Sequence, residues 1–298
     1  MGREWLLSVL IIVLGGLSTQ ALAWLPGRDG AHAQAEARER ACWYRLWQPI
    51  APMLLIAAGL CGWALTQPDP VPDRLEPWGL YGAWLPFALI FGRACLRAGW
   101  ALLRSPAECG IATVGFLQPQ VVFSPFLAKG LEERAIRAAL AHEAAHAKHR
   151  DPARIWLAQF ATDLQWPWPA AARRLDRWRE ALELARDDEA RAGGVDGADL
   201  AAAVLATVRF LGRAAPERRA GLGGSEPAHA RLVDDARALR ERVSRLLAPL
   251  PEAARGRRGR GRRPGLAVLL MLAALLAATG LGIVYGERLV QPLLALTL

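Results

Sequence analysis

The stretch His142-Glu143-Ala144-Ala145-His146-Ala147-Lys148-His149-Arg150-Asp151-Pro152 decides how this chain is read. Its neighbours predict a helix. Leu131, Ala135, Ile136, Ala139 and Leu140 recur at helical spacing upstream, with Glu132 and Glu133 near the start. On a helix, four residues advance about 40° beyond one turn, so His142 and His146 project from one face. That pairing suits a zinc ion, which takes imidazole nitrogens readily. Bound zinc lowers the pKa of a coordinated water to about 7, and Glu143 lies beside the first His as the base that takes its proton. Five His occur in the chain, and three of them fall between 142 and 149, so the cluster points to metal chemistry.

A catalytic zinc site needs a third protein ligand and an open position. No His follows at the spacing His-x-x-Gly-x-x-His. His149 shares the helical face but lies one turn further on, and three ligands from one straight helix cannot surround an ion. It is read as a neighbour or surface residue. The third ligand is therefore expected from another helix. Asp151-Pro152 marks a helix start, with Asp151 as cap and Pro152 in the first turn, running to about Trp166. After Pro167 and Pro169 a further helix is expected over 170–192, closed by Gly193-Gly194. Its acids from Ala172 on are Asp176, Glu180, Glu183, Asp187, Asp188 and Glu189, and spacing does not choose among them. Further helices are expected at 199–213 and 228–247, with a loop at Gly221–Ser225 between them. Upstream, Ile111–Ser124 reads as two short strands turning at Gln118-Pro119.

The rest of the chain is apolar. Hydrophobic residues make up 53% of the 298, and mean hydropathy is +0.15, above what a water-facing domain usually shows. The excess sits in four runs, about residues 5–25, 46–67, 78–99 and 265–285. A helix crossing the hydrocarbon core needs roughly 20 such residues, so four transmembrane helices are expected. Arg93 would reach the interface from the end of the third. The expected organisation is three spans over 1–103, a metallopeptidase domain over 104–263, and a fourth span with a short tail over 264–298.

Charge placement orients these spans. The net charge is +9, almost all of it Arg, since Lys129 and Lys148 are the only lysines. Arg28, Arg38, Arg40 and Arg45 follow the first run, Asp69, Asp73 and Glu76 follow the second, and Arg255–Arg263 is an Arg-Gly segment before the fourth. With Lys and Arg on the inner side, the N-terminus lies outside and the large domain inside, a multi-pass protein of the bacterial inner membrane. The first run, with Ala21-Leu22-Ala23 at its end, also resembles a signal peptide, but cleavage would invert all three signs. The Arg-Gly segment lacks interleaved aromatics and abuts a span, so a lipid bilayer is its expected partner and direct nucleic-acid binding is not expected. Cys42, Cys61, Cys95 and Cys109 show no paired spacing and read as small buried side chains.

Joined together, these residues resemble a known family. His142-Glu-Ala-Ala-His-Ala-Lys-His-Arg-Asp-Pro152, then Glu183-Leu-Ala-Arg-Asp187-Asp-Glu-Ala190, is similar to the BlaR/MecR-type membrane zinc metallopeptidases, metallopeptidase family fifty-six. So are the strand pair Gly115-Phe-Leu-Gln-Pro119…Val121-Val-Phe-Ser-Pro125 and the layout of spans. The resemblance implies a mainly α architecture: four transmembrane helices and a cytoplasmic α+β zincin-like domain with a small β-hairpin. It implies Zn²⁺ held by His142, His146 and Glu183, Glu143 as catalytic base, and Asp187 orienting a ligating His. It further implies an endopeptidase for a protein substrate, in regulatory proteolysis of a transcriptional repressor. Overlapping motifs leave an HtpX-type quality-control protease as the alternative, and a non-catalytic signalling scaffold as a third reading. Two departures stand out. Arg186 occupies the place before Asp187 where the family has Ala or Cys. Only 286–298 follow the fourth run, where the family's sensors carry a penicillin-binding domain, so direct β-lactam sensing is not expected, and any sensing is expected to involve the short loops, the spans or a sensor partner protein. No Tyr falls within 104–263 to stabilise an oxyanion; His229 and Arg240 are candidates, and neither is assigned.

Overall fold

The computed structural model describes residues 35–64, 66, 76–103, 111–116, 118–123, 131–219, 236–250 and 265–295. The described chain is mostly helical with one two-stranded sheet. In order, it runs α1 (Ala35–Trp47), α2 (Ala51–Ala64), α3 (Glu76–Leu103), β1 (Ile111–Val114), β2 (Gln120–Phe123), α4 (Glu133–His149), α5 (Asp151–Leu164), α6 (Pro169–Ala192), α7 (Gly197–Arg219), α8 (Ala236–Leu247) and α9 (Gly265–Ala295).

The strands pair antiparallel, with Ile111 opposite Phe123 and Val114 opposite Gln120. Gly115 opens the turn at φ +104°, and a Cβ there would lie 2.6 Å from the Gln118 carbonyl oxygen. Both the conformation and the space require glycine. The hairpin lies against α4, whose buried face is built from small residues: Ala135, Ala138 and Ala145. These bring the helix close to β1, α6 and α7. Arg150, in the left-handed conformation, ends α4 and turns directly into α5. Asp151 is thus the first residue of α5, not its cap. It is fully buried, and its carboxylate is used elsewhere.

One core lies between α1, α5 and α6, formed by Leu46, Ile50, Ala158, Ala161, Leu175, Trp178 and Leu182. Trp43 packs against Trp178 with ring centroids 5.0 Å apart and planes tilted by 49°. A second joins α4, α6, α7 and α8 through Ala138, Ala190, Leu200, Ala201 and Leu246. The long helix α6 belongs to both, and so fixes its acids against the motif helix.

The four-span expectation is corrected here. Among the described residues no helix is long and apolar enough to cross a membrane. The run at 46–67 is not one helix. Leu46 and Trp47 end α1, a turn at 48–50 contains Pro49, which cannot continue a helix, and α2 has only 14 residues. At 1.5 Å per residue it covers about 21 Å, short of the roughly 30 Å hydrocarbon core. The run at 78–99 lies within α3, where Arg93 and Arg97 sit in the body of the helix and pair with Asp163 of α5 at 3.5 and 3.2 Å. Trp156 Nε1 also donates to the Ala98 carbonyl at 3.0 Å. Arg93 therefore ties α3 to the motif-bearing helices and lies over the Trp166 ring. The run at 265–285 continues through Glu287 and Arg288 as α9. It presses on α2 so closely that a Cβ at Gly282 would stand 1.9 Å from the Gly59 carbonyl oxygen. The multi-pass inner-membrane placement and its inside–outside assignment rested on those spans and are corrected with them. The segments at 5–25, 221–225 and 255–263, and His229, lie outside the described residues. Cys42 is half-buried and Cys95 exposed, so Cys95 is not the buried side chain expected.

Leu175 is almost fully buried in the core that seats α6. Leu175→Ala should cost about 2–5 kcal/mol of unfolding free energy, read as a lowered denaturant midpoint with unchanged slope.

Candidate metal centre

His142 and His146 face α6 from one side of α4, both buried. Their Nε2 atoms lie 3.0 Å apart. Glu183 of α6 brings Oε2 to 3.4 Å from His142 Nε2 and Oε1 to 3.7 Å from His146 Nε2. One ligand atom from each of the three residues lies within 4.8 Å of the others. Tetrahedral coordination with bonds of about 2.1 Å sets ligand atoms about 3.4 Å apart, and the observed separations bracket that value.

Each ring is backed by a carboxylate on its far nitrogen. His146 Nδ1 meets Asp151 Oδ2 at 2.9 Å. His142 Nδ1 lies 2.9 Å from Asp187 Oδ1, although the ring N–H is not in line with that oxygen. Protons on both Nδ1 atoms direct both Nε2 lone pairs into the same space. Two such lone pairs at 3.0 Å repel each other unless a proton or a cation stands between them. The donor set of two imidazoles and one carboxylate, with its carboxylate backing, fits zinc.

The electrostatics favour a cation between the two rings, whether a proton or a metal ion. Burial disfavours the charged form of His142, but the Asp187 and Glu183 carboxylates outweigh it and push its pKa up to about 10. Burial opposes ionisation of Asp187 as well, yet Arg242 and His142 hold it down at about 2. Glu183 is kept well below the carboxylate range against its own burial, by Arg242 first and then the two His. Negative charge thus persists around the cluster, the condition a buried divalent cation needs.

Three of the groups that build this site were not expected. Arg242 of α8 is the largest. Its Nε and Nη2 donate to Asp187 Oδ2 and Oδ1 at 2.7 and 2.8 Å, and Nη1 lies 3.0 Å from Glu183 Oε2. One guanidinium therefore holds both a candidate ligand and the carboxylate behind His142. Arg240, the residue considered from sequence, is exposed instead. Asp151 is the second. Besides His146 it accepts from Arg186, Nε to Oδ2 at 2.5 Å and Nη2 to Oδ1 at 3.0 Å. Arg186, the departure from the resembled family, is thus a buried fork on the carboxylate that orients His146. Thr113 of β1 is the third. Its hydroxyl lies 2.7 Å from Glu143 Oε2 and 2.8 Å from the Glu143 carbonyl oxygen, so its one proton can be donated to either.

No protein-family model matches this chain, and no curated protein or solved structure matches it either. The site therefore stands on its own geometry. That geometry brings His142, His146, Glu183 and Asp187 together, with Glu143 on the same helix and buried. His149 stays apart, bonded through Nε2 to Glu189 Oε2 at 2.7 Å. Asp176 and Glu180 lie outside the cluster, and Asp188 pairs with Arg245.

Arg242→Met should weaken zinc binding by about 10–100-fold, the range for groups that hold metal ligands, measured by competition with a chelator. A second prediction concerns Glu189. Burial would raise its pKa, but His149 and Lys148 lower it from 4.5 to about 2. A depressed carboxylate contributes stability that is present above its unfolded value and lost as pH falls through its folded one. Between pH 4.5 and 2, Glu189→Gln should therefore lose less stability than the parent chain, as followed by urea unfolding across that interval.

Proposed function

We propose that the chain is a zinc-dependent endopeptidase that hydrolyses peptide bonds of a protein substrate, of the BlaR/MecR-like type its motifs resemble. The observation that carries this reading is the convergence of His142, His146 and Glu183 beside the buried Glu143. Zinc bound there would supply Lewis acidity toward a carbonyl oxygen and toward water. The chain's own residues supply the rest. Glu143 sits next to the first His and in the field of Arg242, and its carboxylate is restrained by Thr113. A carboxylate held so can take the proton of an attacking water and pass it to the departing nitrogen. Asp187 and Asp151 keep the two rings in one tautomer and one orientation. Arg242 keeps Glu183 and Asp187 ionised.

The regulatory assignment is narrower. A transcriptional repressor as substrate, and a separate sensor protein as partner, rest on the resemblance of the 142–152 and 183–190 segments and of the strand pair.

Glu143→Gln tests both levels. It should retain zinc, lose about 10²–10⁴-fold in cleavage rate, and trap its substrate for identification. Cleavage of the trapped protein by Glu143→Gln at the parental rate would remove Glu143 from the mechanism. His142→Ala should lose zinc and activity together.

A further inference from the structure

Helix α1 gives no atom to the metal cluster, yet a chain of charged groups joins it to His146. Glu39 of α1 is buried at 4% exposure. Its Oε1 accepts from Trp178 Nε1 at 2.9 Å and from Arg154 Nη2 in a short contact. Arg154 lies over the rings of Trp43 and Trp178, at 5.0 and 5.6 Å from their centroids. Both rings favour a cation at that position. Its other arm donates to Asp151 Oδ1 at 2.9 Å, and Asp151 Oδ2 faces His146 Nδ1 at 2.9 Å. Every step is a contact of 3 Å or less between groups that are buried or largely so.

The charges behind His146 also balance. Arg154 and Arg186 are matched by Asp151 and Glu39. Glu189, which reaches Arg186 at 3.5 Å, is already taken by Lys148 at 2.6 Å. Neutralising Glu39 would leave one uncancelled positive charge behind a ring that is to bind a dication. It would also release Arg154, which holds Asp151 Oδ1 alongside Arg186. The wall of α1 that presents Glu39 is itself anchored at both ends of the contact with α6, by Ala35 against Leu184 and Ala185 and by Leu46 in the core.

We propose that Glu39 is a positioning residue of the metal centre. Through Arg154 and Asp151 it holds the His146 ring in its ligating orientation and cancels the charge behind it. The inference rests on the zinc reading above and extends it to a helix more than a hundred residues away in sequence.

The test is zinc affinity of the full chain, by competition with a chelator, alongside its melting temperature. Glu39→Gln, nearly the same shape without the charge, should bind zinc about tenfold more weakly, at the low end of the range for groups behind metal ligands. Glu39→Asp should recover part of that loss. Arg154→Lys, which keeps the charge but cannot bridge two carboxylates, should weaken zinc as well, and serves if Glu39→Gln does not fold. Leu46→Ala is the control: it loosens the packing of α1, lowers the melting temperature and leaves zinc affinity unchanged. If the parent chain holds zinc and Glu39→Gln holds it equally tightly, the inference is overturned while the metal reading stands. Equal weakening by Leu46→Ala overturns it too, because Glu39 would then act through packing alone. A parent chain that takes up no zinc defeats the metal reading and this inference with it.

Discussion

Everything at this site depends on two imidazoles directed at each other across 3.0 Å. Left to themselves, two lone pairs at that distance repel. The fold holds them there by gripping the opposite nitrogen of each ring, His146 through Asp151 and His142 beside Asp187. Those carboxylates are buried, and each needs its own cation. Arg186 serves Asp151 and Arg242 serves Asp187. The helices that carry these groups must therefore meet α4 at fixed depth. The alanine face of α4 and the Leu and Trp core under α6 set that depth.

The arrangement places cost and function together. Buried ion pairs seldom stabilise a fold more than apolar packing of the same volume would. Here at least three carboxylates and two guanidiniums are concentrated within one cluster at the junction of α4, α5, α6 and α8. Such a concentration is better explained by the demands of a buried dication than by stability. Glu183 is the one acid of the cluster that turns both carboxylate oxygens toward the paired Nε2 atoms.

Much of the local structure was legible in the sequence. The 3.6-residue pattern before His142, the strand pair within 111–124 and the Gly193-Gly194 stop all lie where expected; the glycine that opens the strand turn, Gly115, was not singled out. The resemblance selected Glu183 from six acids on one helix, a choice spacing could not make, and the geometry brings that residue to the two His. Asp151 was misread because Asp-Pro is equally the signature of a helix start, and nothing local reveals that its carboxylate turns back toward His146. Arg242 was missed because α8 lies nearly sixty residues beyond Glu183, and one arginine among many carries no mark of its contacts. Arg186 was noticed only as a departure; its role depends on Asp151, which was itself assigned elsewhere. The spans failed for a different reason. A hydropathy window counts Leu46–Gln67 as one apolar run and does not register that Pro49 divides it between two helices. Nor does it register that Arg93 and Arg97 have a buried acid, Asp163, waiting on α5.

The central claim is that His142, His146 and Glu183 together bind one zinc ion. X-ray absorption at the zinc edge of the zinc-loaded chain tests it most directly. The account predicts one tightly held zinc per chain, with two imidazole nitrogens and carboxylate oxygen at about 2.0–2.2 Å and the signal reduced to one imidazole in His146→Ala. A first shell containing sulfur, or one that keeps two imidazoles in His146→Ala, would contradict it.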